Sequence, residues 1–97
     1  MNSVNLIGRL TKDPDYNKKS EVARYTLAVD GTGDNTDFIS CVCFKKTAKF
    51  VNDYLTKGMK VGVSGRIKTG SYENKNGDTV YTTDVVVDSH TFCEKKN

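Results

Sequence analysis

Apolar and polar side chains alternate at period two in several separate stretches of this chain, and one stretch alone switches to helical spacing. Successive side chains of a strand point to opposite faces, so this pattern commits most of the backbone to half-buried β-structure. Val4 to Leu10 alternates with interruptions and runs into the turn signal Asp13-Pro14-Asp15. From Val22 to Val29, Ala23, Tyr25, Leu27 and Val29 share one face, while Arg24 and Thr26 lie on the other. Asp30 to Asn35 reads as a loop. In the third strand, Phe38 to Phe44, Ile39, Cys41 and Cys43 point one way and Phe38, Ser40, Val42 and Phe44 the other. The period then changes: Ala48, Val51 and Leu55 recur at helical spacing, flanked by Phe50 and Tyr54, with Gly58 as the expected stop. Met59, Val61 and Val63 resume the strand pattern, and Gly65 inside that run predicts a bulge or sharp bend. Ser71–Glu73 and Thr79–Thr82 form a predicted hairpin around Asn76-Gly77, and Tyr81 to Val87 is the last long strand.

Three strands, one short helix and two further strands with a projecting hairpin predict an all-β fold: a five-stranded OB-fold barrel. The runner-up is an open α+β sheet. At 97 residues the chain is long enough for one small core, which excludes multi-domain and most barrel enzymes. The barrel is expected over residues 1–92, with 93–97 a short polar end.

No apolar run approaches the roughly 20 residues that cross a bilayer. The start, MNSVNLIGRLTKDPD, lacks a basic region followed by an apolar block, so no secretory leader is expected. Three cysteines are an odd count, against a disulfide framework. A reduced, cytoplasmic protein is the expectation.

Charge narrows the function classes further. Residues 1–37 carry a net −1, residues 38–72 a net +6 and residues 73–97 a net −2. The middle third holds Lys45, Lys46, Lys49, Lys57, Lys60, Arg66 and Lys68 against Asp53 alone. A focused basic region suits an anionic partner; the plainer reading is a solvated basic helix and hairpin. Catalytic equipment is sparse. The single histidine, His90, reads as an ordinary surface residue with no triad partner beside it. Gly31-Thr32-Gly33 lacks the third glycine and following helix of a dinucleotide fingerprint. Asp30, Asp34 and Asp37 do not have calcium-loop spacing and read as solvated loop acids. Cys41 and Cys43 fall on one strand face beside Ile39 and read as small core hydrophobes. No enzyme activity, metal or cofactor is expected.

The aromatic residues carry the stronger signal. If Ile39, Cys41 and Cys43 face the core, Phe38 and Phe44 stand on the wet face of the same strand. Tyr72 adds a ring on the hairpin, and Lys45, Lys46 and Lys68 flank these positions. Rings that stack bases, interleaved with cations that track phosphates, are the parts of a non-specific single-strand binder. The competing reading is a subunit interface or a second small core.

The chain resembles the bacterial and phage single-stranded DNA-binding proteins of the SSB type. The resemblance runs from about Asn2 to Asp88, through LIGRLTKDPD, YTLAVD, TDFISCVCF, AKFVNDYLTKG and MKVGVSGRIKTGSYENKNGDTVYTTDVVVD in order. It implies an OB-fold assembled as a homotetramer that wraps single-stranded DNA in replication, recombination and repair, with no enzymatic step. It also implies that Phe38, Phe44 and Tyr72 stack bases, and that Lys46, Lys57 and Lys68 lie near the DNA path. Two features depart from the family pattern. The chain has no Trp, where members generally carry one at the positions of Phe38 and Tyr72, and the loop Gly31–Asn35 lacks a further stacking ring. Members also continue into a tail with an acidic partner-recruiting tip, absent here, where the sequence stops at Glu94-Lys95-Lys96-Asn97. The rival readings are an RNA-binding OB or cold-shock-like module, a β-barrel interaction protein and an OB-barrel nuclease. The nuclease would need clustered carboxylates, and the basic middle third supplies one acid.

Overall fold

In the computed structural model, which describes residues 1–31 and 33–93, five strands close into a ring. β1 (Val4–Leu10) pairs antiparallel with β5 (Lys60–Glu73), and β5 with β6 (Thr79–Phe92). β6 runs parallel to β4 (Thr36–Phe44) through Cys41↔Val85 and Val42↔Val86. β4 pairs antiparallel with β3 (Val22–Asp30) along its whole length. The ring closes where Arg9 and Leu10 of β1 meet Ala28 and Leu27 of β3. One helix, α1 (Lys45–Tyr54), follows β4 directly. This is the OB-type barrel that the alternation predicts.

The interior holds the expected stripe. Leu10, Ala23, Tyr25, Leu27, Cys41, Cys43, Val61, Val63, Val85 and Val87 form one buried cluster, and α1 contributes Ala48 and Val51. Leu55, just beyond the helix, completes that face. Val29 and Ile39 pack partly buried against the same cluster.

Several details differ from the sequence expectations. A sixth strand, β2 (Asp15–Asn17), adds to the outer side of β3, so Asp15 belongs to a strand rather than a turn. Three residues are too few to show alternation, and β2 forms because β3 supplies an edge for it. Gly58 does not stop the helix. The last helical residue is Tyr54, Leu55 is extended, and Gly58 serves a separate turn at φ 84°. That turn is tied to the barrel by Gly58 N–H donating to the Leu10 carbonyl and by the Lys57 amide donating to Asp13 Oδ1. Leu55 turns outward from helical geometry because its side chain completes the core. The fourth strand and the first hairpin arm are one continuous strand, β5, which starts after Met59. The hairpin turn is wider than Asn-Gly alone: Asn74 Oδ1 accepts from the amides of Asn76 and Asp78. The bulge lies where Gly65 predicts it, at the Ser64/Gly65 register shift. Of the loop after β3, Thr32 lies outside the described residues, as does the polar end beyond Cys93.

His90 is the clearest correction. It is half-buried, paired with core Val63 on β5, and its Nε2 lies 2.7 Å from the Tyr25 hydroxyl. Its ring packs against Tyr25 and Phe50, with centroids 6.0 and 5.6 Å away. Strict alternation from Val85 and Val87 would turn residue 89 inward; the extra residue at the bulge, Asp88, shifts the phase and turns His90 inward instead. Burial lowers its pKa from 6.5 to about 4, so the neutral ring belongs to the folded state. Unfolded chains therefore take up the proton first. Stability should be unaffected by this group above pH 6.5, fall as pH drops from 6.5 towards 4, and level off below. The loss should be on the order of 2 kcal/mol after solvent screening. Urea unfolding at pH 7 and pH 4.5 checks this against His90→Asn, whose acid sensitivity should be smaller by that amount.

Candidate functional site

The outer face of the barrel is built by parity. Because Val85 and Val87 are core, β6 turns Asp84, Val86 and Asp88 outward. The register then places Arg66, Lys68, Gly70 and Tyr72 of β5 on the same face, opposite Val86, Asp84, Thr82 and Val80. On β4, the outward residues are Phe38, Ser40, Val42 and Phe44, and on β3 their partners are Ala28, Thr26, Arg24 and Val22. Phe38 and Phe44 are 68% and 43% exposed, and Tyr72 is 57% exposed. The two phenylalanines are six positions apart, so their backbones stand about 20 Å apart along one strand.

One row crosses four neighbouring strands at a single level: Arg24 on β3, Val42 on β4, Val86 on β6 and Arg66 on β5. At about 4.8 Å per strand, the two arginines start about 14 Å apart. Val42 and Val86 are outward yet only 4% and 3% exposed, and they lie outside the interior cluster. They are paired with each other across β4 and β6, so this face carries a small apolar floor of its own. Sequence alternation assigns Val42 to the wet face and gives no sign of that pairing.

The candidate residues do not all gather there. Phe38, Phe44, Lys68 and Tyr72 share the face. Lys46 lies in the first turn of α1, two residues after Phe44. Lys57 stands elsewhere, on the turn beyond the helix, where Asp13 holds its backbone at the end of β1. The chain enters α1 through Lys45, a non-glycine residue at φ 52°, whose amide donates to the carbonyl of Glu21, itself at φ 56°. The first helical turn contains no acid, and Phe44 supplies no side-chain cap. Cations at a helix N-terminus oppose the macrodipole. The local conflict leaves positive potential beside the Phe44 ring. Arg24 is the cation of this row that the sequence reading did not include; Arg66 belongs to its basic middle third. The outward parity of Arg24 was legible, but its alignment with Arg66 depends on the parallel β4–β6 pairing.

Burial pushes the Cys41 and Cys43 thiols up to about 12, so both remain protonated inside the barrel. Burial, with Cys43 and Cys41 nearby, also pushes up the Tyr25 hydroxyl. Only Cys93 is exposed among the three thiols. Maleimide labelling of the folded protein at pH 7 should therefore stop at one adduct per chain, on Cys93. Three adducts should appear in denaturant; rapid native labelling of Cys41 or Cys43 would contradict the closed core. No helix of the described residues is long and apolar enough to cross a membrane.

The sequence profile of the single-strand binding protein family matches residues 1–93. The chain is 50% identical over 103 residues to the single-stranded DNA-binding protein of Clostridium perfringens (strain 13 / Type A), covering 100% of this chain and 69% of that protein. It is 47% identical over 106 residues to single-stranded DNA-binding protein 1 of Staphylococcus aureus (strain COL), covering 100% of this chain and 64% of that protein. The same identity and coverage hold for single-stranded DNA-binding protein 2 of S. aureus (strain MSSA476). The chain thus spans about two thirds of the length of these relatives.

Proposed function

The chain belongs to the single-strand binding protein family, and from that premise we propose that it binds single-stranded DNA without sequence preference and without an enzymatic step. Its role is to protect exposed strands during replication, recombination and repair in the cytoplasm. The observation that carries this reading is the set of three exposed rings, Phe38, Phe44 and Tyr72, on one barrel face with Arg24, Arg66 and Lys68 among them. Bases stack on the rings, and the cations follow the phosphates. Lys46 adds charge at the Phe44 end. Lys57, tied to the far end of β1, contributes through the general field or on a longer path around the barrel.

Titration of a fluorescent oligothymidine across a salt series tests this directly. Log affinity should fall with log salt by about 0.7 for each phosphate neutralised. Absence of saturable binding at low salt would refute the function, and a flat salt dependence would remove the cations from it.

The assembly is a homotetramer. In β1, Val4–Ile7 pair with β5 alone among the described strands, and Ile7 is exposed there. An unpaired edge with an apolar side chain is a physical reason to associate. Four copies of 10.8 kDa give a mass of about 43 kDa. Light scattering at micromolar concentration should return that value; a steady 10.8 kDa would sink the tetramer and leave strand binding open.

A further inference from the structure

The cations of the outer face are not bare. Arg66 Nη1 lies 3.4 Å from Asp88 Oδ1, and both side chains are exposed. Lys68 stands directly opposite Asp84 across the β5–β6 ladder. Arg24 stands directly opposite Asp15 across β2–β3. Arg24, Arg66 and Lys68 therefore each have a carboxylate on a neighbouring strand. By contrast, Lys45, Lys46 and Lys49 lie in a helix whose first turn holds no acid. Two of the three acids sit on β6, the central strand of the face, between the rings of β4 and the cations of β5.

A carboxylate beside an arginine offers the guanidinium the same kind of oxygen partner as a phosphate does. A DNA phosphate laid on this face competes with Asp88 for the Arg66 guanidinium. We propose that Asp88, seconded by Asp84 and Asp15, is an intramolecular competitor of the DNA phosphates that sets the affinity and the salt response of the site. The competitor weakens binding at the sheet cations and favours phosphate contact at the start of α1, whose first turn holds no acid. The bases are left over the β4 rings. This proposal rests on the single-strand-binding reading above. It concerns how tightly the strand is held, not whether it binds.

The test is an oligothymidine titration of Asp88→Asn over the same salt series. An exposed pair is worth up to about 1 kcal/mol, so affinity should rise about two- to fivefold at low salt. The salt slope should steepen by up to about 0.7, one more phosphate neutralised. The gain should vanish when Asp88→Asn is made on an Arg66→Gln background, and Asp84→Asn should show the same dependence on Lys68. Asp53→Asn on α1 removes an equal charge away from the face and is expected to do much less. An equal gain from Asp53→Asn, or a gain that survives Arg66→Gln, would overturn the competition while strand binding stands. Wild-type protein that fails to bind oligothymidine takes down both.

Discussion

With Phe38, Phe44 and Tyr72 all replaced by alanine, affinity for oligothymidine should fall by more than about 3 kcal/mol, over a hundredfold. Each single replacement should cost about 1–3 kcal/mol, the usual worth of one base stacked on one ring. The sites are well separated along their strands, so the losses should add approximately. Because the rings are 43–68% exposed, their removal should leave the melting temperature nearly unchanged. The salt slope should also hold, since no phosphate contact is lost. Lys46→Gln and Lys68→Gln should do the opposite, flattening the slope by up to about 0.7 per lost contact. Melting, mass and affinity measured on the same variants separate stacking from assembly. A fall in mass or stability that precedes the loss of affinity would assign the rings to an interface. Folded, tetrameric variants with unchanged affinity would end the stacking role.

Gly65→Val should be the most damaging single substitution for the fold. A Cβ at this bulge would run into the Val86 carbonyl and sit 2.8 Å from Val86 C and 2.9 Å from Val87 Cα. These are backbone atoms of the central strand, so no rotamer change relieves the clash. The ladder must part on either side of the Ser64/Gly65 bulge, beside core Val63 and Val87. A cost of about 3 kcal/mol or more is expected, a large share of what a domain of this size has to lose. Gly62, three residues earlier on β5, is the control. The atoms nearest to a Cβ there are Cys93 Sγ at 3.5 Å and two Thr91 atoms at 3.7 Å, ordinary contact distances, so the stability of Gly62→Ala should lie within about 1 kcal/mol of the parent. Urea denaturation of the two variants decides it; equal midpoints would refute the tight crossing at Gly65.

Period and parity alone determine most of the barrel. Alternation assigns Ala23, Tyr25, Leu27, Cys41 and Cys43 to the interior, and the same parity turns Phe38 and Phe44 outward; the buried cluster and the exposed rings follow. Gly65 marks the bulge because a strand with no side chain at that point tolerates close backbone approach. These features depend on neighbours along the chain or on one face of one strand, so sequence holds them. What depends on pairing between distant strands is not written locally. β2 is too short to show a period and exists because β3 offers an edge. Leu55 leaves the helix because the core needs its side chain. His90 looks like a polar residue near a polar end, yet the β5–β6 register sets it against Tyr25 and Phe50. The parallel contact of Val42 with Val86 aligns Arg24 with Arg66 across four strands, and the bulge between β5 and β6 brings Asp88 to Arg66. Which side chains share a face is a property of one strand. Which strands lie side by side, and at what level, is decided only when the ring closes.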